Sequence, residues 1–270
     1  MNIKRPIAFI LASTNHGTMI TNKNDFHSTK NGTYGVGYQL LTTSSFDSEE
    51  VQVAKALIAK RKKNFGDGVL AIDCGANIGV HTLEWAKFMY GWGSVLSFEA
   101  QEKIFYALAG NIASNNCLNV QAENVAIGAK NGTMEVPIPN YHKPSSYGSL
   151  EITQKTSNEF IGQDINFSNT KTTRMISLDS LEIDRVDFIK IDVEGMEQDV
   201  LNGACKLIEN TQPIMLIEHI KSNKDFLQKF LKDFGYKFFA VGINIIAVHE
   251  SDPTLSDIEI KEETFIIRGG

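Results

Sequence analysis

From about residue 69 to 250, short apolar runs alternate with amphipathic stretches, the pattern of β-α units laid on a parallel sheet. Val69-Leu70-Ala71-Ile72-Asp73 reads as a buried strand that stops at Cys74-Gly75. Residues 79–90 carry Val80, Leu83, Trp85, Ala86 and Met89 at near-helical spacing, and Gly91 and Gly93 end that helix. The pattern predicts further strands over 94–99, 120–127, 187–192 and 213–218, with helices running to about 115 and over 197–209 and 225–234. Residues 236–241 and 244–249 are two more strand-like runs joined only by Gly242-Ile243. So short a link holds no crossover helix, so these two strands are antiparallel. The predicted fold is a Rossmann-like α/β sheet, mostly parallel, ending in an antiparallel hairpin, with helices on both faces.

Two regions break the alternation. Residues 1–68 form an extension with an amphipathic helix over 48–63, expected on the lid or substrate side of the core. Residues 131–175 form a polar, turn-rich insertion in the 69–250 core, with Pro137, Pro139 and Pro144. Long insertions between core strands are more often functional loops than passive connections. Residues 251–270 read as a C-terminal tail. The apolar run from Ile7 to Ala12 is too short for a signal sequence, and no stretch approaches the ~20 apolar residues of a membrane span. Cys74, Cys117 and Cys205 stand far apart with no ligand-like pairing, so a cytoplasmic protein with free thiols is expected. A net charge of -6 argues against a nucleic-acid backbone as main partner, but a local site can still hold a small substrate.

The strongest chemical signal is Asp73-Cys74-Gly75-Ala76-Asn77-Ile78-Gly79, a turn between a buried strand and a helix. Open α/β sheets bind ligands at this edge. Gly75 and Gly79 permit a tight turn and close approach of backbone to ligand. Asp73 does not suit a pyrophosphate but suits the ammonium of a methionine moiety, and the glycine spacing differs from the dinucleotide fingerprint. Glu99 ends the second strand, where a carboxylate can take both hydroxyls of an adenosine ribose. It supports an adenosine cofactor without separating S-adenosylmethionine from NAD. Asn124 is placed to flank the adenine; His81 and Thr82 open the next helix and can cap it or reach the cofactor carboxylate.

Asp192 ends the fourth strand, and Glu218-His219 ends the fifth. Neighbouring strands lie ~4.8 Å apart, so the three side chains can converge above the sheet as catalytic groups. One histidine and two carboxylates suit a divalent metal that would activate a substrate hydroxyl. The same three can also act without metal, with His219 as general base. Glu194 and the loop residues Tyr141, His142, Lys143 and Ser146 offer polar groups to a sugar or phosphorylated substrate.

In order along the chain, Asp73-Cys74-Gly75-Ala76-Asn77-Ile78-Gly79, Ser97-Phe98-Glu99-Ala100, Asn124-Val125-Ala126-Ile127-Gly128, Ser177-Leu178-Asp179-Ser180 and Ile189-Lys190-Ile191-Asp192-Val193-Glu194-Gly195 resemble the FkbM-type family of class I methyltransferases. The resemblance implies O-methylation from S-adenosylmethionine, with Asp73, Gly75, Asn77, Gly79 and Glu99 on the cofactor. It also implies a sugar, nucleotide-sugar or natural-product hydroxyl as acceptor, with surface-polysaccharide biosynthesis as a setting. Ala100 departs from the proline often found after the second-strand acid. A more distant analogy, to catechol-type O-methyltransferases, places a metal at Asp192, Glu218 and His219; a histidine there favours iron or manganese over magnesium. A nicotinamide-dependent sugar oxidoreductase is the rival reading; no Asn/Asp-Pro-Pro-Tyr/Phe-type motif for an amine is present.

Overall fold

The computed structural model describes residues 5–261 and 264–268. An N-terminal hairpin of β1 (Phe9–Thr14) and β2 (Gly17–Asn22) precedes a smaller one, β3 (His27–Thr29) and β4 (Gly32–Tyr34). Helices α1 (Val36–Thr43) and α2 (Ser48–Phe65) complete the extension. The core opens with β5 (Val69–Cys74), α3 (Val80–Phe88), β6 (Gly93–Phe98), α4 (Glu102–Ser114) and β7 (Val120–Glu123). Next come β8 (Ala126–Ile127), just before the insertion, and the two strands of the insertion, β9 (Gly132–Pro137) and β10 (Thr170–Ile176). Then follow β11 (Phe188–Ile191), α5 (Glu197–Asn202), α6 (Cys205–Thr211), β12 (Ile214–Glu218), α7 (Lys224–Asp233), β13 (Tyr236–Val241) and β14 (Asn244–His249). A last hairpin, β15 (Ile258–Lys261) and β16 (Thr264–Ile267), ends the described chain.

The central sheet has seven strands in the order β13-β14-β12-β11-β5-β6-β7. Strands β7, β6, β5, β11 and β12 are mutually parallel, and β14 runs antiparallel to both of its neighbours. This is the mostly parallel Rossmann-like sheet with a terminal hairpin that the two-residue Gly242-Ile243 link requires.

Side chains alternate across each strand and feed two cores. Val69 and Ala71 of β5, Phe188 of β11 and Ile214 and Leu216 of β12 pack with Leu57 and Ile58 of α2 and Leu83 and Trp85 of α3. Ile72 and Cys74, Ile189 and Ile191, and Met215 and Ile217 face the other way, onto Val200, Leu201, Leu207, Leu227 and Leu231 of α5, α6 and α7. Alternation therefore sends Asp73, Lys190 and Glu218 to the face covered by α2 and α3. The N-terminal extension thus meets the chemistry of the sheet edge directly.

Three details differ from the sequence pattern. The apolar run 120–127 is two strands, because the Asn124 side chain donates to the Glu99 and Ala100 carbonyls and turns the chain between them. β8 then leaves the main sheet and pairs with β10. The stretch 197–209 is two helices broken at Gly203, whose missing side chain lets it sit against the Gly128 carbonyl; a Cβ there would be 2.2 Å away. Asp179 caps the second helix, accepting from the Leu207 N–H at 2.9 Å. The described residues beyond 250 include a hairpin that lies on α2 and β13, and Lys60 of α2 binds Asp257 at 2.8 Å. No helix among the described residues is long and apolar enough to cross a membrane.

Candidate active site

Strand register brings four positions into one row. Cys74 lies opposite Phe98 on one side and Ile191 on the other, and Ile191 lies opposite Ile217. The next residue in each case is Glu99, Gly75, Asp192 or Glu218, and all four line one cavity of about 370 Å³. They stand at the carboxyl edge of the parallel strands, where this sheet type receives ligands.

The glycine turn is built by close approach. Gly75 has φ +81°, and a Cβ on it would sit 1.8 Å from the Asp192 carbonyl oxygen. The Gly75 and Ala76 N–H groups both donate to the Phe98 carbonyl, at 3.0 and 2.9 Å. Gly79 has φ +91°, with Leu108 of α4 filling the space its side chain would need. Asn77, at φ +51°, donates its backbone N–H to Glu99 Oε2 at 2.9 Å. Glu99 Oε1 accepts from the Gln101 N–H at 2.7 Å. Burial outweighs these two hydrogen bonds and pushes the Glu99 carboxyl up to about 7.

Other residues singled out in the sequence fall behind or away from the wall. Asp73 is buried beneath it, 1% exposed, and its Oδ2 accepts from Thr82 Oγ1 at 2.6 Å. Thr82 in turn is hydrogen-bonded to Ser97. Together they brace the turn from below, and Asp73 and Thr82 do not line the cavity, although Asp73 Oδ1 has no hydrogen-bond partner among the described residues. Asn124 likewise holds the ends of β6 rather than facing the cavity. His81 does line the cavity, with Nε2 3.1 Å from Glu50 Oε1 of α2.

At the other end of the row, oxygens of Asp192, Glu194 and Glu218 lie within 4.8 Å of one another. The expected cluster of Asp192, Glu218 and His219 is therefore corrected at one member. The His219 backbone N–H pairs with the Ile243 carbonyl at the hairpin turn, and its side chain is not in the cavity wall. Lys190 Nζ lies 2.6 Å from Asp192 Oδ2. Burial works against the charge on Lys190, but Asp192, Asp73 and Glu50 together raise its pKa well above the ordinary lysine value. Lys221 Nζ is 2.7 Å from Glu159 Oε2 and also bonds Glu194. Burial and the Asp192 charge push Glu218 up to about 8, and burial with the charges of Asp192 and Glu218 pushes Glu194 up as well. Glu50 is the opposite case: His81, Lys190 and Asn244 overcome its burial and hold it down at about 2.

The extension closes one side of the cavity with Tyr34, Gln39, Phe46, Asp47 and Glu50; the insertion closes another with Ser146, Ser149, Leu150 and Glu159. Buried Asp25 joins the two, its carboxylate accepting from the Gly37 and Tyr147 N–H groups at 3.0 Å each. Of the loop residues expected near substrate, Ser146 and Glu194 line the cavity, whereas His142 and Lys143 are exposed outside it. Tyr141 packs on Tyr147, with centroids 5.0 Å apart, and its hydroxyl donates to Gln101. Its ring is spent on holding the insertion. Sequence reasoning missed Glu50, Lys190, Lys221 and Asn244. Lys190 carried a usable signal, a charge inside an otherwise apolar strand; the other three meet the site only through tertiary packing.

The chain matches the model of the Methyltransferase FkbM domain over residues 73–238. It is 28% identical over 179 residues to Methyltransferase 1 of Beauveria bassiana (strain ARSEF 2860), covering 60% of this chain and 69% of that protein. It is 24% identical over 165 residues to Methyltransferase sdnD of Sordaria araneosa, covering 52% of this chain and 62% of that protein. Among solved structures, Methyltransferase FkbM from Methylobacillus flagellatus KT superposes with a TM-score of 0.49 at 18% identity, over 79% of this chain and 52% of that one. The chain thus spans about half of that structure and roughly two thirds of the two curated relatives.

Proposed function

The chain belongs to the methyltransferase FkbM family, and on that premise we propose that it moves the methyl group of S-adenosylmethionine to a hydroxyl of a sugar-like small molecule. One observation carries the reading: Glu99, the Gly75 turn, Asp192 and Glu218 form a row on the floor of a single cavity. The donor set fits the cofactor. Glu99 accepts the ribose hydroxyls in place of the backbone N–H groups it now holds. The bare Gly75 backbone gives the methionine moiety room that any side chain would fill.

When bound, S-adenosylmethionine supplies an electrophilic methyl group on a sulfonium. Asp192 stands beside the Gly75 turn and would act as general base, taking up the proton that the acceptor hydroxyl loses on methylation. Lys190 anchors the Asp192 carboxylate, and the walls from the extension and insertion would orient the acceptor hydroxyl toward the methyl group. Gln39, Ser146, Ser149 and Asn244 are polar groups on those walls suited to a polyol.

A divalent ion does not fit the carboxylates as they stand. Asp192 and Glu194 already bind the ammonium groups of Lys190 and Lys221, and His219 is not among the converging side chains. A metal would have to displace two cations and share their space, so we assign no step to one.

The test is transfer of labelled methyl from S-adenosylmethionine to a panel of mono- and disaccharides, with the product bond read by NMR. A methyl ether on a ring hydroxyl is expected. Labelled amine or carbon products instead would overturn the assignment of oxygen as nucleophile.

A further inference from the structure

The acceptor end of the cavity holds more carboxylates than cations. Glu159, Asp192, Glu194 and Glu218 face Lys190 and Lys221 there, and no arginine among the described residues lines the cavity. Both lysines are engaged, Lys190 with Asp192 and Lys221 with Glu159, Glu194 and the Ser149 carbonyl. Among the described residues lining this end, no free lysine or arginine remains to meet a phosphate. An anionic group entering here would meet carboxyl groups whose crowding already pushes Glu194 and Glu218 toward their neutral forms.

Glu218 stands apart within this cluster. It is 8% exposed, lies in the cavity wall, and its Oε2 has no hydrogen-bond partner among the described residues. A buried acceptor left unpaired is costly, and a buried carboxylate more so. Its elevated value of about 8, caused by burial and the Asp192 charge, expresses the same deficit. A ligand that brings a positive charge and N–H donors to the exposed part of this carboxyl stabilises its charged form. A divalent ion would contend with Lys190 and Lys221; a primary ammonium is a single charge that pairs with the Glu218 carboxylate without displacing either lysine.

We propose that Glu218 receives an ammonium group carried by the acceptor, so that the acceptor is an amino-bearing polyol and not a phosphorylated or nucleotide-linked one. This rests on the methyltransferase reading above, because it assigns the end of the cavity left over once the cofactor occupies the glycine turn.

The test is calorimetric titration of the full chain, saturated with S-adenosylhomocysteine, against glucosamine, glucose and glucose 6-phosphate at fixed ionic strength. Glucosamine is expected to bind about tenfold more tightly than glucose, as one charge-assisted hydrogen bond provides, with glucose 6-phosphate weakest. Glu218→Gln should erase that order while S-adenosylhomocysteine binds within about twofold of wild type, which also shows that the variant is folded. Equal binding of the three sugars, preference for the phosphate, or no binding of any to the loaded protein overturns the proposal. So does a Glu218→Gln variant that loses S-adenosylhomocysteine instead, because the cation would then be the cofactor's own. Failure of wild type to bind S-adenosylhomocysteine would instead remove the methyltransferase reading, and this proposal with it.

Discussion

Gly75 and the Asp192 carbonyl approach so closely that a single methyl group on the glycine would stand 1.8 Å from the oxygen. The contact joins the first strand's turn to the end of the fourth strand and fixes how far apart the proposed cofactor and catalytic groups lie. Gly75→Ala faces both this clash and a φ of +81° that side chains avoid. We expect a loss of about 2–4 kcal/mol in stability by denaturant unfolding, from strain and overpacking together, and at least tenfold weaker S-adenosylhomocysteine binding. A variant of wild-type stability and affinity would mean that the turn is not held by this contact.

Glu99 gives a pH dependence with a definite sign. Burial raises its carboxyl from the ordinary 4.5 to about 7. Ribose hydroxyls are bound best by the charged form, so cofactor affinity should rise as pH climbs from about 6 to 8 and then level off. The free protein behaves oppositely: the raised value makes it lose stability over the window from 4.5 to 7, where the carboxyl of the unfolded chain ionises while the buried one still holds its proton. Glu99→Gln should flatten the affinity rise and weaken binding by roughly tenfold to a hundredfold. Titrations at three pH values on both proteins check this.

The sequence offers Asp192 and His219 as metal ligands, and His219 as the general base without metal; the proposed function gives the base role to Asp192. Asp192→Asn should lower kcat by about a hundredfold to ten-thousandfold with little change in S-adenosylhomocysteine affinity. His219→Ala should leave kcat within a few-fold, because its ring is outside the cavity wall. Steady-state kinetics on the two variants decide between them.

Lys190 is buried among Asp192, Asp73 and Glu50, so Lys190→Met removes the cation that Asp192 pairs with and that Asp73 and Glu50 share. A loss of about 3 kcal/mol is expected in chemical unfolding. Treatment with a strong chelator, by contrast, should leave kcat within about twofold. An activity abolished by chelation and restored by iron, manganese or magnesium would return the carboxylate cluster to a metal.

The sheet was legible because apolar runs of strand length, spaced by helical repeats, leave few alternatives. The terminal hairpin was legible from a link too short to cross over. Where the pattern misled, a polar side chain or a glycine made a turn inside an apolar stretch, as Asn124 and Gly203 do. The row of site residues was readable in outline, since each ends a predicted strand. Which of them lines the cavity was not: Asp73 braces the turn through Thr82, and His219 stays out of the lining, because both depend on packing against distant elements. Glu50 and Lys221 became visible only when α2 and the insertion folded over the sheet edge.

The most direct test is calorimetric titration of wild type and Glu99→Gln with S-adenosylhomocysteine, alongside NAD, at pH 8. The account predicts binding to wild type with a Kd of about micromolar, weakened in the variant, and no binding of NAD. Tight binding of NAD with none of S-adenosylhomocysteine would contradict it.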